Sequence, residues 1–454
     1  MAHYFTSFNG YKVKDADARA AIETMQETIM LSEHAIANAQ QDVNLIKECF
    51  VTPQMFGAVA DGQIDDTAAI QAAIGFVELN GGGAVFFPSG TYKISDTLHI
   101  TADGVKLIGE CMQSVYIKQT NVAKDAILLE GTEDDKLSGV TIEHMSFYCE
   151  GVSSAVGIHY KHCVNAYAEH LVLSEFLVGL KLTGTGNSLV QAVGVVSHVA
   201  NAIGFQHGYH SASTQYNDIY AGFFGDAATT GFGFSASQGN IADFTINYLD
   251  VGNGLTGVYI DGAESPAEFP AADIRLYEIV CDNCVSRCID IRNTGDRGNI
   301  LIVGGWFNPA RVATMNCLSI YNSSNVNVKG VTFQQVENSA PTFYGITGNL
   351  AKNVTIEGCQ FINVFGCFSL ATIERWNIRG NMIDVYGSDA VQNYAIYCNG
   401  ATRCNVVDNI INGAYLGGIL IDATSSKCLV AMNNVAGSTV TVSATESITE
   451  NNLT

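Results

Sequence analysis

The chain has 454 residues, and 22 lysines and arginines stand against 44 aspartates and glutamates, for a formal net charge of −22 at pH 7. This balance argues against a nucleic acid or an anionic membrane surface as the partner. No apolar run reaches membrane-spanning length and no signal peptide opens the sequence. We therefore expect no membrane insertion, and synthesis and folding in a cytosol.

The 13 cysteines agree with a reducing compartment. Cys281, Cys404 and Cys428 recur where the repeat described below expects small inward side chains, and buried thiols behave as small hydrophobes. No spacing of Cys and His resembles a zinc site. The sequence therefore predicts core thiols, no metal site and no cofactor.

Residues 15–48 carry a seven-residue apolar period, which is typical of a coiled coil. The a positions are Ile22, Ile29, Ile36 and Val43, and the d positions are Met25, Ser32, Ala39 and Ile46. Ser32 and Ala39 weaken the d seam, and a single amphipathic helix on the end of the domain is the alternative. We predict a stalk over residues 21–50, preceded by a separate segment 1–20.

We predict that residues 51–110 form a cap on the N-terminal end of the fold that follows them. Asp65 or Asp66 can N-cap a helix whose Ala68, Ile70, Ala73 and Ile74 cover the open end of the following fold, where exposed strand edges would invite aggregation. A glycine-rich turn at 81–83 then leads into the strand 84–87.

From residue 139 to the C-terminus a short phrase returns about every 22 to 30 residues: a polar residue with apolar residues one, three and eight places on. Asn299, Asn325 and Asn353 start three clear copies, and their shared phase predicts a stacked Asn ladder at a turn. Further along each copy, a small residue begins a short strand in which every second side chain is apolar, as in GVYI at 257. The pattern predicts a parallel β-solenoid of about 12 coils over residues 111–454.

Three segments carry a family resemblance: FGAVADG at 56–62, DDTAAIQAAI at 65–74 and GGGAVFFPSGTY at 81–92. They resemble the opening of pectate-lyase-like β-helix proteins, a group that includes polygalacturonase relatives and many bacteriophage tailspikes. The resemblance implies an all-β, right-handed parallel β-helix with an N-terminal capping helix. Residues 11–19 look like the start of phage tail-fibre proteins, which implies tail attachment for residues 1–20 and a coiled-coil stalk after them.

The strand phase also assigns an outer face. Val258 and Ile260 point inward, which leaves Tyr259 and Asp261 outside, and the next coil leaves Asp290 and Arg292 outside. The same rule places other polar side chains on this face: His159, Lys161, Lys181, Gln206, Ser235, Ser319 and Tyr321. By contrast, His207 and Trp376 fall at inward positions.

Asp261 is expected directly beside Arg292 and diagonal to Asp290, at about the separation of glycosidase acid/base pairs. We therefore predict Asp261 and Asp290 as catalytic, with Glu264 and Glu268 of the adjoining loop in reserve. The predicted substrate-binding residues are Tyr259, Arg292, Asp296, Arg297, Trp306 and Arg311. The alternative is a surface ion pair between Asp261 and Arg292, with the loop acids merely solvated.

An attachment segment, a stalk and a capped β-helix follow one another in the order expected of a phage tailspike. The prediction is a homotrimer in the virion, attached to the tail or baseplate through its N-terminus, that binds and cleaves a bacterial surface polysaccharide, by hydrolysis rather than elimination. The motifs of polygalacturonase-like hydrolases are absent from the sequence. The alternatives are a non-catalytic receptor-binding or structural tail protein, and a free-standing bacterial polysaccharide lyase or hydrolase.

Overall fold

The structure is a computed structural model. It describes residues 7–8, 11–12, 16–208, 211, 213–239, 241–263, 271–296, 298–309, 315–335, 343–384, 391–413 and 415–453. The chain divides into two compact units, residues 1–51 and residues 52–454. Within the described ranges, no helix combines the length and the apolar character that crossing a membrane requires.

The first unit is dominated by one long helix, α1, Ala16–Cys49. Two short antiparallel strands, Ser7–Phe8 and Tyr11–Lys12, precede it, and the strand Phe50–Val51 follows it. The helix confirms the helical period of this segment, although it begins five residues before the predicted stalk. Met25, Ile29 and Ile36 are 68%, 50% and 68% exposed. An apolar stripe this exposed on a single chain is typical of a helix that associates with another copy, and the coiled coil stays a prediction.

The second unit opens with the predicted cap. A 3₁₀ turn, Pro53–Phe56, leads to helix α2, Thr67–Leu79, which buries Ile70, Ala73, Ile74 and Val77. Ala68 was expected in this set and is instead exposed. The two candidate capping acids bind different backbone groups. The Asp65 carboxylate accepts the Thr67 N–H at the start of the helix at 2.9 Å, whereas the Asp66 carboxylate accepts the N–H groups of Val59 and Ala60.

The rest of the second unit is a parallel β-solenoid of about 13 turns, close to the predicted 12 coils. Each turn contributes strands to three parallel sheets, and each strand pairs with its counterparts one turn before and one turn after. Several strands run through a corner and belong to two sheets. A one-turn helix, Ala227–Thr230, and a separate strand pair, Leu137–Ser138 with Cys163–Val164, complete the described elements.

Sheet A contains the strands Gly83–Phe87, Val105–Gly109, the first parts of Thr141–Cys149, Tyr167–Ser174 and Leu189–Ser197, then Thr214–Asn217, Ala242–Ile246, Ala272–Tyr277, Ile300–Val303, Val326–Lys329, Lys352–Glu357, Glu374–Arg379, Asn405–Val407, Leu429–Ala431 and Ile448–Glu450.

Sheet B contains Asp61–Asp65, Gly90–Ile94, Val115–Gln119, the second parts of Thr141–Cys149, Tyr167–Ser174 and Leu189–Ser197, then Ile219–Phe223, the first parts of Leu249–Asp261 and Ile279–Gly295, Trp306–Asn308, Thr332–Gln334, Gln360–Ile362, Met382–Asp384, Ile410–Asn412 and Asn434–Ala436.

Sheet C contains Leu98–Ile100, Ile127–Glu130, Val156–Lys161, Val178–Thr183, Ile203–Gly208, Phe232–Gln238, the last parts of Leu249–Asp261 and Ile279–Gly295, then Met315–Ser323, Phe343–Asn349, Gly366–Ala371, Val391–Asn399, Tyr415–Ile421 and Val440–Val442.

Inward side chains stack in columns from turn to turn. Ile260, Ile291 and Ile320 lie in register on three neighbouring strands of sheet C, and all three are buried. This confirms the predicted phase, because a slip of one residue would have turned all three outward. His207 and Trp376 are fully buried, as predicted. The repeat-phase cysteines are also core residues: Cys281, Cys288, Cys317, Cys367, Cys404 and Cys428.

Asparagines stack both outside and inside the solenoid. Of the predicted outer ladder, Asn353 donates to Asn325 at 3.1 Å, but Asn299 donates to Asp273 instead. A second, interior ladder was not predicted: the side-chain amides of Asn381, Asn409, Asn433 and Asn452 form a chain of hydrogen bonds of 2.9 to 3.0 Å. The core of the C-terminal turns therefore contains a fully bonded polar row.

Candidate functional site

A row of polar side chains runs along the outer face of sheet C, one from each turn. We refer to it as the sheet C track: His159, Lys181, Gln206, Ser235, Tyr259, Asp290, Ser319, Thr347 and Ser369. Neighbouring members are in register, about 4.8 Å apart along the solenoid axis. The register confirms the outward positions that the sequence assigned.

The middle of the track is recessed. Gln206, Ser235, Asp290 and Ser319 are buried, with 6%, 4%, 2% and 9% of their surfaces exposed, although they alternate with core residues and face outward. Buried polar side chains are stable where hydrogen-bonding partners are close. A linear row of recessed donors and acceptors suits a linear, hydroxyl-rich ligand.

Asp261 ends its strand at the edge of the track, directly beside Arg292, as predicted. Its carboxylate accepts hydrogen bonds from the Tyr259 hydroxyl at 2.7 Å, the Asn293 side-chain amide at 2.9 Å and the Ala263 N–H at 3.0 Å. Partial burial raises the pKa of this carboxyl, but the three donors outweigh burial and hold the pKa below its usual range. Asp261 is therefore a carboxylate at neutral pH.

Asp290 is the buried acid of the track. Arg292 donates to its Oδ2 through Nε at 2.9 Å, the terminal Nη2 atom of Arg292 forms an ion pair with the same oxygen at 2.8 Å, and Arg287 lies 3.5 Å from that oxygen. Arg292 therefore bonds Asp290, and the surface ion pair with Asp261 does not form. The Oδ1 atom of Asp290 and the Nε atom of Arg287 are buried and lack a hydrogen-bond partner among the residues the structure describes.

Tyr259 links the two carboxylates. It lies in register beside Asp290, its hydroxyl donates to Asp261, and the Arg292 guanidinium stands 5.9 Å from its ring centre. Burial and the bond to the Asp261 carboxylate raise the pKa of Tyr259 to about 12. The four side chains form one connected network, in which each carboxylate is bound by donors from the chain itself.

The other predicted site residues do not all join this network. Trp306 lies on sheet B, where it pairs with Val280 and donates to Gln334 at 3.1 Å. Asp296 lies beyond the strand, with its side chain 85% exposed and 3.9 Å from Lys352. Four predicted residues lie outside the described residues: Glu264, Glu268, Arg297 and Arg311.

Two residues that contact the network, Arg287 and Asn293, were not predicted. Arg287 reaches Asp290 because the strand pairing shifts by one residue beside Thr256, and no sequence pattern marks such a shift. Asn293 has a left-handed backbone with φ of 53° and accepts a hydrogen bond from Asn322 in the next turn. The recurrence of Asn directly after Arg292 and after Tyr321 is a sequence pattern that could have found this pair.

The described residues contain no group of three or more His, Cys, Asp or Glu side chains placed to hold a metal ion. The side chains of the network offer carboxylate, guanidinium, hydroxyl and amide groups. Such groups bind sugar hydroxyls through charge-assisted hydrogen bonds.

Residues 51–265 match the family model for rhamnogalacturonase A/epimerase, pectate lyase-like. The match covers 215 residues, just under half of the chain, and together with the solenoid it confirms the predicted resemblance to pectate-lyase-like β-helix proteins. The fold is similar to that of the tailspike protein of Escherichia coli bacteriophage HK620, solved in complex with a pentasaccharide, with a TM-score of 0.70 and 14% identity. The superposition covers 89% of this chain and 79% of the tailspike chain.

Curated relatives match over shorter parts of their length. Alginate lyase 7 of Azotobacter vinelandii is 41% identical over 85 residues, 19% of this chain and 10% of the lyase. Mannuronan C5-epimerase AlgE4 of the same organism is 38% identical over 91 residues, 19% of this chain and 15% of the epimerase. Depolymerase 1, capsule KN3-specific, of Klebsiella phage KN3-1 is 24% identical over 338 residues, 69% of this chain and 36% of that protein.

Proposed function

We propose that this protein is a tailspike-type component of a bacteriophage that binds a bacterial surface polysaccharide along the sheet C track and cleaves it. The observation that carries the proposal is the track itself, in which polar side chains follow the solenoid axis from turn to turn and four of them near its middle are recessed. The similarity to a tailspike in complex with a pentasaccharide and to a capsule-specific phage depolymerase supports the same reading.

The long helix α1 supports an assembly role for the first unit. Met25, Ile29 and Ile36 expose apolar surface that a partner helix would cover. We propose that three copies associate through this helix, and that the segment before it attaches the spike to the tail or baseplate of the virion. Loss of apolar exposure on association is the driving force.

For cleavage we propose Asp261 and Asp290 as the acid and base, with water as the attacking group. Hydrolysis needs one carboxyl to hold a proton for the leaving oxygen and the other to be ionised. Asp261, with its lowered pKa, suits the ionised role. In the acid role, Asp290 would first have to exchange the Arg292 contacts at its Oδ2 atom for the sugar and take up a proton from solvent, and it would then pass that proton to the leaving oxygen.

The contacts that both carboxylates already make within the chain favour a second candidate function, non-catalytic receptor binding. Asp261 already accepts three hydrogen bonds, whereas Asp290 has its Oδ2 atom bound by Arg292 and its Oδ1 atom buried, so neither carboxylate is open to a proton-transfer partner in the unliganded chain. In this case the same track binds the polysaccharide without cleaving it.

The deciding experiment incubates the protein with purified capsular and O-polysaccharides of candidate hosts and measures new reducing ends and the absorbance of an unsaturated product. Reducing ends without that absorbance indicate hydrolysis. Asp261→Asn should lower cleavage at least about a hundredfold, the usual scale for a lost acid or base. Asp134→Asn is the matched control, because Asp134 is an exposed carboxylate in a loop.

Asp290→Asn should have the same effect as Asp261→Asn, with circular dichroism recorded to check that the variant folds. Full activity of both variants would remove this face as the cleavage site. Binding of a polysaccharide without any product would leave receptor binding as the function.

A further inference from the structure

Sheet B presents an outer face of its own, and a tyrosine lies flat on it. Tyr220, Gly222, Asp250 and Gly252 occupy outward positions on two neighbouring strands, with Tyr220 in register beside Asp250. A Cβ atom placed on Gly222 would overlap the Tyr220 hydroxyl and lie 2.8 Å from its ring carbon Cζ. The ring therefore occupies the space that a side chain at Gly222 would fill.

The ring is covered by the sheet on one side only in part, and the residue stays open to solvent. Tyr220 is 37% exposed, and its hydroxyl has no hydrogen-bond partner among the residues the structure describes. A Cβ atom on Gly252, one turn on, would meet the same hydroxyl at 3.6 Å, so the glycines form the floor on which the ring rests. An aromatic face held flat beside polar groups is the surface on which the apolar face of a pyranose ring stacks.

Acceptors for sugar hydroxyls lie next to this ring. Asp250 is partly buried, and within the described part of the chain no hydrogen bond or ion pair engages its carboxylate. Asp282 lies diagonally across from it on the following strand and accepts the Asn308 side-chain amide at 2.8 Å. Burial and the nearby Asp282 charge raise the pKa of Asp250. Two neighbouring carboxylates repel an anionic sugar and accept hydrogen bonds from the hydroxyls of an uncharged one.

We infer that the outer face of sheet B around Tyr220, Asp250 and Asp282 is a second saccharide-binding site, selective for uncharged, hydroxyl-rich pyranose units. Tyr220 stacks on one sugar ring, and the two carboxylates accept its hydroxyls and those of the next. The site goes beyond the proposed function, because it lies on a different sheet from the track and takes no part in cleavage. Two sites on one rigid solenoid would raise the avidity for a long polysaccharide.

The test is saturation-transfer NMR of the full chain against an array of neutral and uronate-containing bacterial oligosaccharides. We expect at least one neutral oligosaccharide to bind through ring protons, with binding weakened about tenfold or more by Gly222→Ala, which displaces the ring, and by Tyr220→Ala. Gly194→Ala is the matched control. It adds the same methyl group one turn away, where the nearest atom of Tyr220 lies at 4.0 Å, an ordinary contact.

The outcomes separate this site from the track. Neutral oligosaccharides that bind equally well to the wild type and to the Gly222→Ala and Tyr220→Ala variants would overturn the inference. The inference would also fall if no neutral oligosaccharide of the array bound the wild type. If ligands are lost in Asp261→Asn but retained in Gly222→Ala, the proposed function stands and the second site falls. If Gly222→Ala alone loses them, the second site stands and the track falls.

Discussion

The interior asparagine ladder provides the sharpest test of the solenoid's energetics. Asn409 is fully buried, and its Nδ2 donates to the carbonyl of Ile378 at 3.1 Å and to the Oδ1 of Asn433 at 3.0 Å. Its Oδ1 accepts the backbone N–H of Asn381 at 3.1 Å and the Asn381 side-chain amide at 3.0 Å. We predict that Asn409→Ala strongly destabilises the C-terminal turns.

The magnitude follows from what the substitution leaves behind. The backbone N–H of Asn381 loses its acceptor inside the core, and an orphaned buried donor costs about 1 to 3 kcal/mol. The lost bonds to Ile378 and Asn433 add roughly 1 kcal/mol each. The free energy of unfolding should therefore fall by about 3 to 5 kcal/mol.

Urea unfolding followed by tryptophan fluorescence measures this loss. Trp376 is a suitable reporter because it is buried and its strand pairs with the strand Asn405–Val407, which directly precedes Asn409. Where unfolding is irreversible, unfolding rates replace midpoints. Asn405→Ala is the control, since Asn405 is exposed and precedes Asn409 by four residues; it should change stability by less than about 0.5 kcal/mol. Equal losses in the two variants would refute the reasoning that the ladder is bonded and buried.

Three further predictions concern register, acid stability and assembly. Ile320→Asp should lower the free energy of unfolding in urea by several kcal/mol, because it buries a charge, whereas Tyr321→Asp at the half-exposed neighbouring position should lower it far less. Similar losses in the two variants would mean that the inward and outward faces were assigned the wrong way round. The folded pKa of Asp261 lies below its usual 3.8, so its stabilising contribution is complete above that pH and is lost as the pH falls through the folded value; Asp261→Asn should flatten the loss of stability in acid titrations below about pH 4. Sedimentation should give about three times the chain mass of 48.4 kDa, and Ile29→Asp with Ile36→Asp should weaken self-association of the N-terminal unit; a monomeric wild type would refute the trimer.

The periodicity of the sequence determined the solenoid and its phase, and the acids at 65 and 66 with the apolar residues after them indicated the capping helix. Side-chain alternation with period two inside a longer repeat allows one solution in which every strand buries one face, and Ile260, Ile291 and Ile320 lie where that solution requires. The outward positions of Tyr259, Asp261, Asp290 and Arg292 followed from the same alternation, without any knowledge of the loops.

The partners of these side chains were decided by the tertiary structure. Alternation fixes the face of a residue but not its rotamer, so the sequence could not tell that Arg292 bonds Asp290 rather than Asp261. It also could not separate sheet B from sheet C for Trp306, because both sheets alternate with the same period.

The depth of each outward position is also a property of the packed molecule. Asp290 and Tyr220 both face outward on neighbouring sheets, yet Asp290 is 2% exposed and Tyr220 is 37% exposed. Burial depends on what covers a face and on glycines that let a ring lie flat, as Gly222 does beneath Tyr220. The sequence thus determined which residues face outward, whereas the three-dimensional packing determined which of them meet, because contacts between turns join residues about 30 positions apart that no local pattern links.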